Sequence, residues 1–304
     1  MSILCEVKKL LIGNILSQMW AVEPAYANAQ FTLLISMLNG NTSDEDFSEK
    51  RAALRSYAYN IDSKSTGEFK SAAPRSIAVI DLSGPLMKND QWCGPEGTAT
   101  KVDYLQEAMS NPNILGVIIK ADSPGGTVDG TETLSNKIKE VSKVKPVVGY
   151  VDGMAASACY WAISACDTII LNGETAIVGS IGTVSSFFDF STALEKAGVK
   201  IHEIYAEAAF SKNLEFREAI KGNYKPMQDN VLKPLNKVFV GAVKENRKGK
   251  LDLENERVLS GGTFFGNDAI KVGLADEIGS FEKAIDRTIE LADNPSAKNN
   301  STQN

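Results

Sequence analysis

Two short segments hold the residue types that acyl-transfer chemistry needs. The first, Asp122-Ser123-Pro124-Gly125-Gly126-Thr127, follows the apolar run Ile114 to Ile119 and opens a helical pattern near Thr127. Paired glycines at such a turn let backbone N–H groups face a ligand without side-chain obstruction, near a helix N-terminus whose dipole favours negative charge. Gly125 or Gly126 could therefore donate to an oxyanion, although a strand-to-helix turn also uses glycine for geometry alone. The second segment, Val147 to Trp161, reads Val-Val-Gly-Tyr-Val-Asp-Gly-Met-Ala-Ala-Ser-Ala-Cys-Tyr-Trp: a strand, a glycine turn, small residues and a helix. Ser157 is expected in the first turn of that helix, where the N–H of Ala158 lacks an intrahelical partner and is open to a developing oxyanion. A serine packed into an alanine-rich helix is the structural alternative.

A serine hydroxyl is a weak nucleophile until a base removes its proton. His202 is the single histidine, and it falls in an expected strand, Ile201 to Tyr205, whose two faces mix apolar and polar residues, so it reads as a surface or edge residue. Lysine is the other base available, since Ser-Lys pairs follow the same logic as the triads. Bringing a lysine from about 10.4 to about 7 costs about 4.6 kcal/mol, so such a base belongs in a water-poor pocket. Lys212 follows Ala208-Ala209-Phe210-Ser211, surroundings able to desolvate an amine, whereas Lys221 and Lys225 keep more polar company. The spacing leaves the base open, because a solvated surface charge is the common fate of any one lysine.

The elements that have to position these residues read as an α/β layered domain. Beyond Pro74, short apolar runs at Ile77 to Leu82, Ile114 to Ile119, Val147 to Val151, Thr168 to Leu171, Val184 to Phe190 and Ile201 to Tyr205 predict strands. Between and after them, amphipathic patterns predict helices at about 101–110, 127–143, 155–165, 191–197, 227–248, 266–273 and 281–292. Residues 1–40 read as a helical segment and 41–73, rich in Asn, Ser, Asp, Lys and Thr, as a linker. The catalytic domain is expected over 74–292, and the polar tail 293–304 has nothing to bury.

Composition narrows the function classes. Lys+Arg 32 against Asp+Glu 38 gives a net charge of -6, with no basic block able to track a phosphate backbone, so nucleic acid is not an expected partner. Cys5, Cys93, Cys159 and Cys166 form no CxxC pair, and with one histidine they supply neither a zinc site nor a disulfide framework. Cys159 and Cys166 share one helical face and read as core. No apolar run reaches the ~18 residues needed to span a bilayer, so a protein without a membrane anchor is expected. Lys8-Lys9, Leu10 to Leu16 and Ala25-Tyr26-Ala27 imitate a secretory signal, but Gly13-Asn14 and Glu23-Pro24 interrupt it.

The two Gly/Ser motifs, in this order, resemble the signal peptide peptidase A family of serine proteases. The resemblance continues through Val178-Gly179-Ser180-Ile181-Gly182-Thr183-Val184, Leu194-Glu195-Lys196-Ala197-Gly198-Val199 and the segment Ala269 to Gly279, covering about residues 75 to 285. It implies a Clp protease/crotonase-like fold of repeated β-β-α units and a Ser-Lys dyad without a cofactor or metal. Ser157 would be the nucleophile, Lys212 the base, and the N–H groups of Gly125 or Gly126 and of Ala158 the oxyanion donors. The family usually approaches its lysine through small residues including glycine, whereas here the approach is Ala206-Glu207-Ala208-Ala209-Phe210-Ser211-Lys212. Val22-Glu23-Pro24-Ala25-Tyr26-Ala27 is similar to a segment near the start of phage capsid assembly proteases. That branch implies a homo-oligomer acting on capsid scaffold or head proteins in the cytoplasm of a bacterial host. Alternatives are a cellular signal peptide peptidase-like protease, a crotonase-like acyl-CoA enzyme using carboxylates, and a non-catalytic assembly protein on the same fold.

Overall fold

The computed structural model describes residues 20–22, 56–91, 95–187, 189, 191–200 and 202–294. They fall into two units, a smaller one across Thr183–Val238 and a larger one holding Ala21–Gly182 and the chain from Phe239 onward. The strands are β1 (Trp20–Val22), β2 (Tyr57–Asn60), β3 (Thr66–Gly67), β4 (Ser76–Ser83), β5 (Ile114–Ser123), β6 (Gly125–Thr127), β7 (Val147–Ala156), β8 (Thr168–Leu171), β9 (Ile177–Gly179), β10 (Thr263–Phe265) and β11 (Glu277–Ile278). The helices are α1 (Thr98–Ser110), α2 (Thr131–Ser142), α3 (Ala158–Ile163), α4 (Ser191–Lys196), α5 (Leu214–Ile220), α6 (Lys233–Asn246), α7 (Gly266–Lys271) and α8 (Phe281–Asp293).

In the larger unit the main sheet runs β10-β9-β7-β5-β4-β2-β3, with β8 also against β7 and β11 against β8. Its centre, β4, β5, β7 and β8, is parallel, and antiparallel strands β2, β3 and β10 close the two ends. Parallel strands need both faces covered, which is why these read as continuous apolar runs. Alternate residues serve the two faces. Ala78, Ile80 and Ile119 join the core beside α1, α2 and α3, while Ile77, Ile118 and Val148 pack with α8. Helix α2 buries Leu134, Ile138 and Val141, spaced at four and three residues on one stripe. The expected α/β class is therefore present, and β5, β6 and α2 form one β-β-α unit.

A buried ion pair locks the C-terminal part onto this sheet. Arg247, fully buried just beyond α6, donates to the Gly273 carbonyl and meets Asp276 at 2.8 and 3.1 Å, and Lys250 reaches the same carboxylate at 2.7 Å. Asp276 also accepts the N–H of Ile169 in β8 at 2.7 Å. Burial alone would push Asp276 up, but Arg247 and Lys250 outweigh it and hold the carboxyl below its ordinary range. The stability so gained is present above the unfolded carboxylate value, near ~3.9, and is lost as pH falls through the lower folded value. Arg247→Met is expected to destabilise the fold by about 3 kcal/mol, the low end for a broken buried pair because Lys250 remains. Urea unfolding at neutral pH measures this, and the deficit should shrink below about pH 4 as Asp276 protonates.

Several expected elements differ. Tyr57–Asn60, inside the stretch read as a linker, is a sheet strand: Ala58 and Asn60 are buried while Tyr57 and Tyr59 are half-buried, and four residues are too short a run to stand out from the polar stretch around them. Trp20–Val22, inside the expected N-terminal helix, is a strand, and the rest of 1–40 lies outside the described residues, as do 295–304 of the tail. The expected strands at 184–190 and 201–205 do not form among the described residues. Their β-branched and aromatic residues suit a pleated surface, but propensity yields no strand without a partner and a face to bury. Ile204 is 95% exposed. The expected 227–248 helix is broken into a turn at Lys225–Met227, a π-helical stretch at Gln228–Leu232 and α6. Pro234, lacking an N–H, removes the bond to the carbonyl four residues earlier and favours that irregularity.

The smaller unit is thinly packed. Thr183 donates its N–H to the Asn236 side chain (3.2 Å) and its hydroxyl to the Leu232 carbonyl (3.1 Å). Phe187 meets Phe216 edge to face, and Arg217 lies over the Tyr205 ring. Ile204, Phe210, Ile220 and Tyr224 stay exposed there.

Candidate active site

β5 delivers the glycine motif to the carboxyl end of the parallel strands, the usual place for ligands in open α/β sheets. The Ser123 hydroxyl donates to the Gly84 carbonyl at 2.6 Å and accepts the N–H of Gly125 at 3.1 Å. Gly125 sits at φ +102°, a conformation for which glycine is suited. Leu86 runs alongside as a parallel bridge: its N–H donates to the Gly125 carbonyl, and its carbonyl accepts from Thr127, each at 2.8 Å. A Cβ on Gly126 would stand 1.9 Å from the Leu86 oxygen, so no side chain fits. Strand alternation turns the N–H and carbonyl of Gly126 to the edge opposite Leu86. Of the two candidate glycines, Gly125 thus has its N–H engaged with Ser123, and Gly126 faces the edge on which β6 pairs with β1.

Ser157 stands at the junction of β7 and α3, one residue earlier than the expected first helical turn, because β7 continues to Ala156. Its backbone adopts φ 54°, ψ −119°, and the residue is buried between Ala155, Ala156 and Ala158. A non-glycine residue in this region stores about 1–3 kcal/mol and persists only where its surroundings over-determine it. Here they do. The Ser157 N–H donates to the Gly179 carbonyl at 2.8 Å, and the Ser157 carbonyl accepts from Trp161 at 2.9 Å. Gly179 and Ser180 are themselves at positive φ, and the Ser180 N–H donates to Gly262 at 2.8 Å. Ala158 is the first residue of α3, where N–H groups lack intrahelical partners.

The sheet thus adds Gly179, Ser180 and Gly262 to the constellation. Gly179-Ser180 was visible in the sequence only through family likeness, since nothing local says that its carbonyl fixes a serine more than twenty residues earlier. Asp122 and Asp152 also stand at this end of β5 and β7. Lys120 pairs with Asp152 at 2.9 Å, and Asn172 donates to the same carboxylate at 3.0 Å. Burial would lower Lys120, but the Asp152 hydrogen bond and charge overcome it and raise the amine, which disqualifies it as a neutral base. Burial lowers Lys145, which donates to the carbonyls of Ala108 and Asn111, yet it lies before β7, about 30 Å along the strand from Ser157.

Lys212 lies in the smaller unit, in the turn between the helical turn Glu207–Ala209 and α5, and its side chain is exposed rather than in the apolar pocket expected of it. Lys221 and Lys225 are ion-paired to Glu218 and Asp229. His202 is exposed and outside any strand. Cys159 and Cys166 are buried as core, burial pushing Cys159 up to about 12 and Cys166 well above its ordinary value. Among the described residues no helix is long and apolar enough to cross a membrane, and no group of His, Cys, Asp and Glu is placed to hold a metal ion.

Peptidase family S49 matches residues 139–294, just over half of the chain, with Ser157 and Lys212 inside the match. "Protease 4" of Haemophilus influenzae is 29% identical over 221 residues, which cover 72% of this chain and 35% of that protein. "Capsid assembly protease C" of Escherichia phage lambda is 29% identical over 280 residues, 87% of this chain and 61% of that one. The chain spans about a third to three-fifths of the length of these relatives. An enoyl-CoA hydratase/isomerase family protein from Silicibacter pomeroyi superposes at a TM-score of 0.41 and 14% identity, covering 77% of this chain and 81% of that one.

Proposed function

The chain belongs to peptidase family S49, and we propose that it is a serine endopeptidase acting through Ser157 and Lys212. The observation that carries this reading is the backbone of Ser157, buried and strained at a strand-to-helix junction and held there by Gly179. Strain of that kind accompanies residues whose side chain has to be presented in one direction. Ser157 Oγ bonds to the substrate carbonyl carbon while neutral Lys212 takes its proton, and the N–H of Ala158 receives the oxyanion, joined by that of Gly126 when substrate takes the edge of β6 on which β1 pairs. Collapse breaks the C–N bond and returns the proton to the leaving amine. Water, giving a proton to Lys212, then cleaves the acyl ester and restores the Ser157 hydroxyl. Gly125 serves the geometry of this turn, since its N–H is held by Ser123.

A neutral lysine near pH 7 requires a water-poor wall, and in the single chain Lys212 is exposed. Bound substrate and a second copy of the chain are the sources of that wall in this reading. The exposed Ile204, Phe210, Ile220 and Tyr224 of the smaller unit support self-association. Light scattering of the purified chain is expected to give a mass that is a multiple of the 32.8 kDa protomer, and a monomer throughout the micromolar range would remove the oligomer.

The substrate class is proposed as capsid scaffold or head proteins, with action in the host cytoplasm and a phage or prophage origin. The support is the similarity, across 87% of this chain, to a phage protein named as a capsid assembly protease. Mass spectrometry of the chain expressed beside its genomic neighbours identifies the cleaved partner. A fluorophosphonate probe tests the serine directly: covalent labelling at Ser157 is expected, and an unlabelled native chain would end the serine-protease reading.

A further inference from the structure

Across the β5/β7 ladder, Ala121 is opposite Val151, but the next pair is Ser123 opposite Ala155. β5 advances two residues while β7 advances four, so Asp152, Gly153 and Met154 bulge against the single residue Asp122. Before the bulge, the far edge of β7 pairs with β8, through Val148–Val151; after it, that edge pairs with β9, through Met154–Ala156. Bulges bend and re-aim a strand, and this one turns the last three residues of β7 toward Gly179, the residue that holds Ser157. The ladder is interrupted here, and Asp122 Oδ1 accepts the Met154 N–H at 3.2 Å. The same oxygen lies 2.7 Å from where a Cβ on Gly153 would be, so the glycine makes room for the carboxylate.

We propose that Asp122 is a positioning residue for Ser157: by bonding Met154 and occupying the space over Gly153, its carboxylate sets the bulge from which the nucleophile is delivered. The role deepens, and rests on, the endopeptidase reading. It also explains why the aspartates and glycines of the two sequence motifs occur together. Burial first, and the charges of Asp152 and Asp81 after it, raise Asp122 against the opposing Met154 N–H and Lys120.

The test uses the full chain as wild type, Asp122→Ala and Asp122→Asn. It reads the rate of fluorophosphonate labelling at Ser157, the melting temperature, and amide exchange over residues 153–156. Asp122→Ala is expected to slow labelling by on the order of tenfold to a hundredfold, the effect of a small displacement of a reacting group. Asp122→Asn, which keeps an acceptor oxygen, should recover most of that loss. Labelling of Asp122→Ala at the wild-type rate overturns the proposal. Should Asp122→Ala not fold, Gly153→Ala, whose added methyl displaces the carboxylate, is to slow labelling in the same way, and an unchanged rate there overturns it too. If the wild-type chain takes no label, the endopeptidase reading falls instead. Exchange then decides: faster exchange at Met154 in Asp122→Ala but not in Asp122→Asn supports the positioning role, and unchanged exchange ends it.

Discussion

Ser157→Ala is expected to abolish cleavage of a co-expressed scaffold or head protein, a loss on the order of 10^4-fold or more, as for removal of a nucleophile from serine hydrolases. The substitution isolates chemistry from structure. It removes one buried hydroxyl oxygen, while the backbone bonds from Ser157 to Gly179 and from Trp161 to Ser157 use main-chain atoms and persist. A melting temperature near that of the parent should therefore accompany the loss. Undiminished processing by the Ser157→Ala chain would mean that the proteolysis belongs to another protein or another residue.

The second large effect concerns the base. Lys212→Arg keeps a long cationic side chain but replaces an amine that can lose its proton with a guanidinium that does not. Cleavage should fall by on the order of 10^2- to 10^4-fold, the range for removal of a general base. The same change at Lys221 or Lys225, each tied to a carboxylate on the surface, should leave processing within a few-fold. Full activity in Lys212→Arg would show that position 212 acts only through charge, and a collapse confined to one of the other two would move the base there.

Much of the scaffold was legible because periodicity reports burial. The runs Ile77 to Leu82, Ile114 to Ile119 and Val147 to Val151 are buried on both faces of a parallel sheet, and their shortness and β-branched content mark them as strands. The alternating stripe of α2 was equally plain. A strand near the sheet edge escaped, since Tyr57–Asn60 buries only alternate residues and is four residues long inside a polar stretch. The opposite error arose at 184–190 and 201–205, where strand-forming residues have no partner strand to pair with among the described residues. Propensity describes a residue's fit to a surface, and the surface is a tertiary fact.

By itself, the sequence determined an α/β domain, placed Ser157 and the glycine pair at the ends of strands, and tied the chain to a peptidase family through motifs in a fixed order. Tertiary structure decided what those residues do to one another. It showed that Gly125 has its N–H on Ser123 while Gly126 faces away from Leu86. It also showed that Ser157 is strained and clasped by Gly179, and that Asp122 sits against the bulge before it. The clasp by Gly179 and the bulge at Asp122 are not readable from spacing, because they depend on strand register, which is set by the summed packing of two sheet faces rather than by any local run of residues.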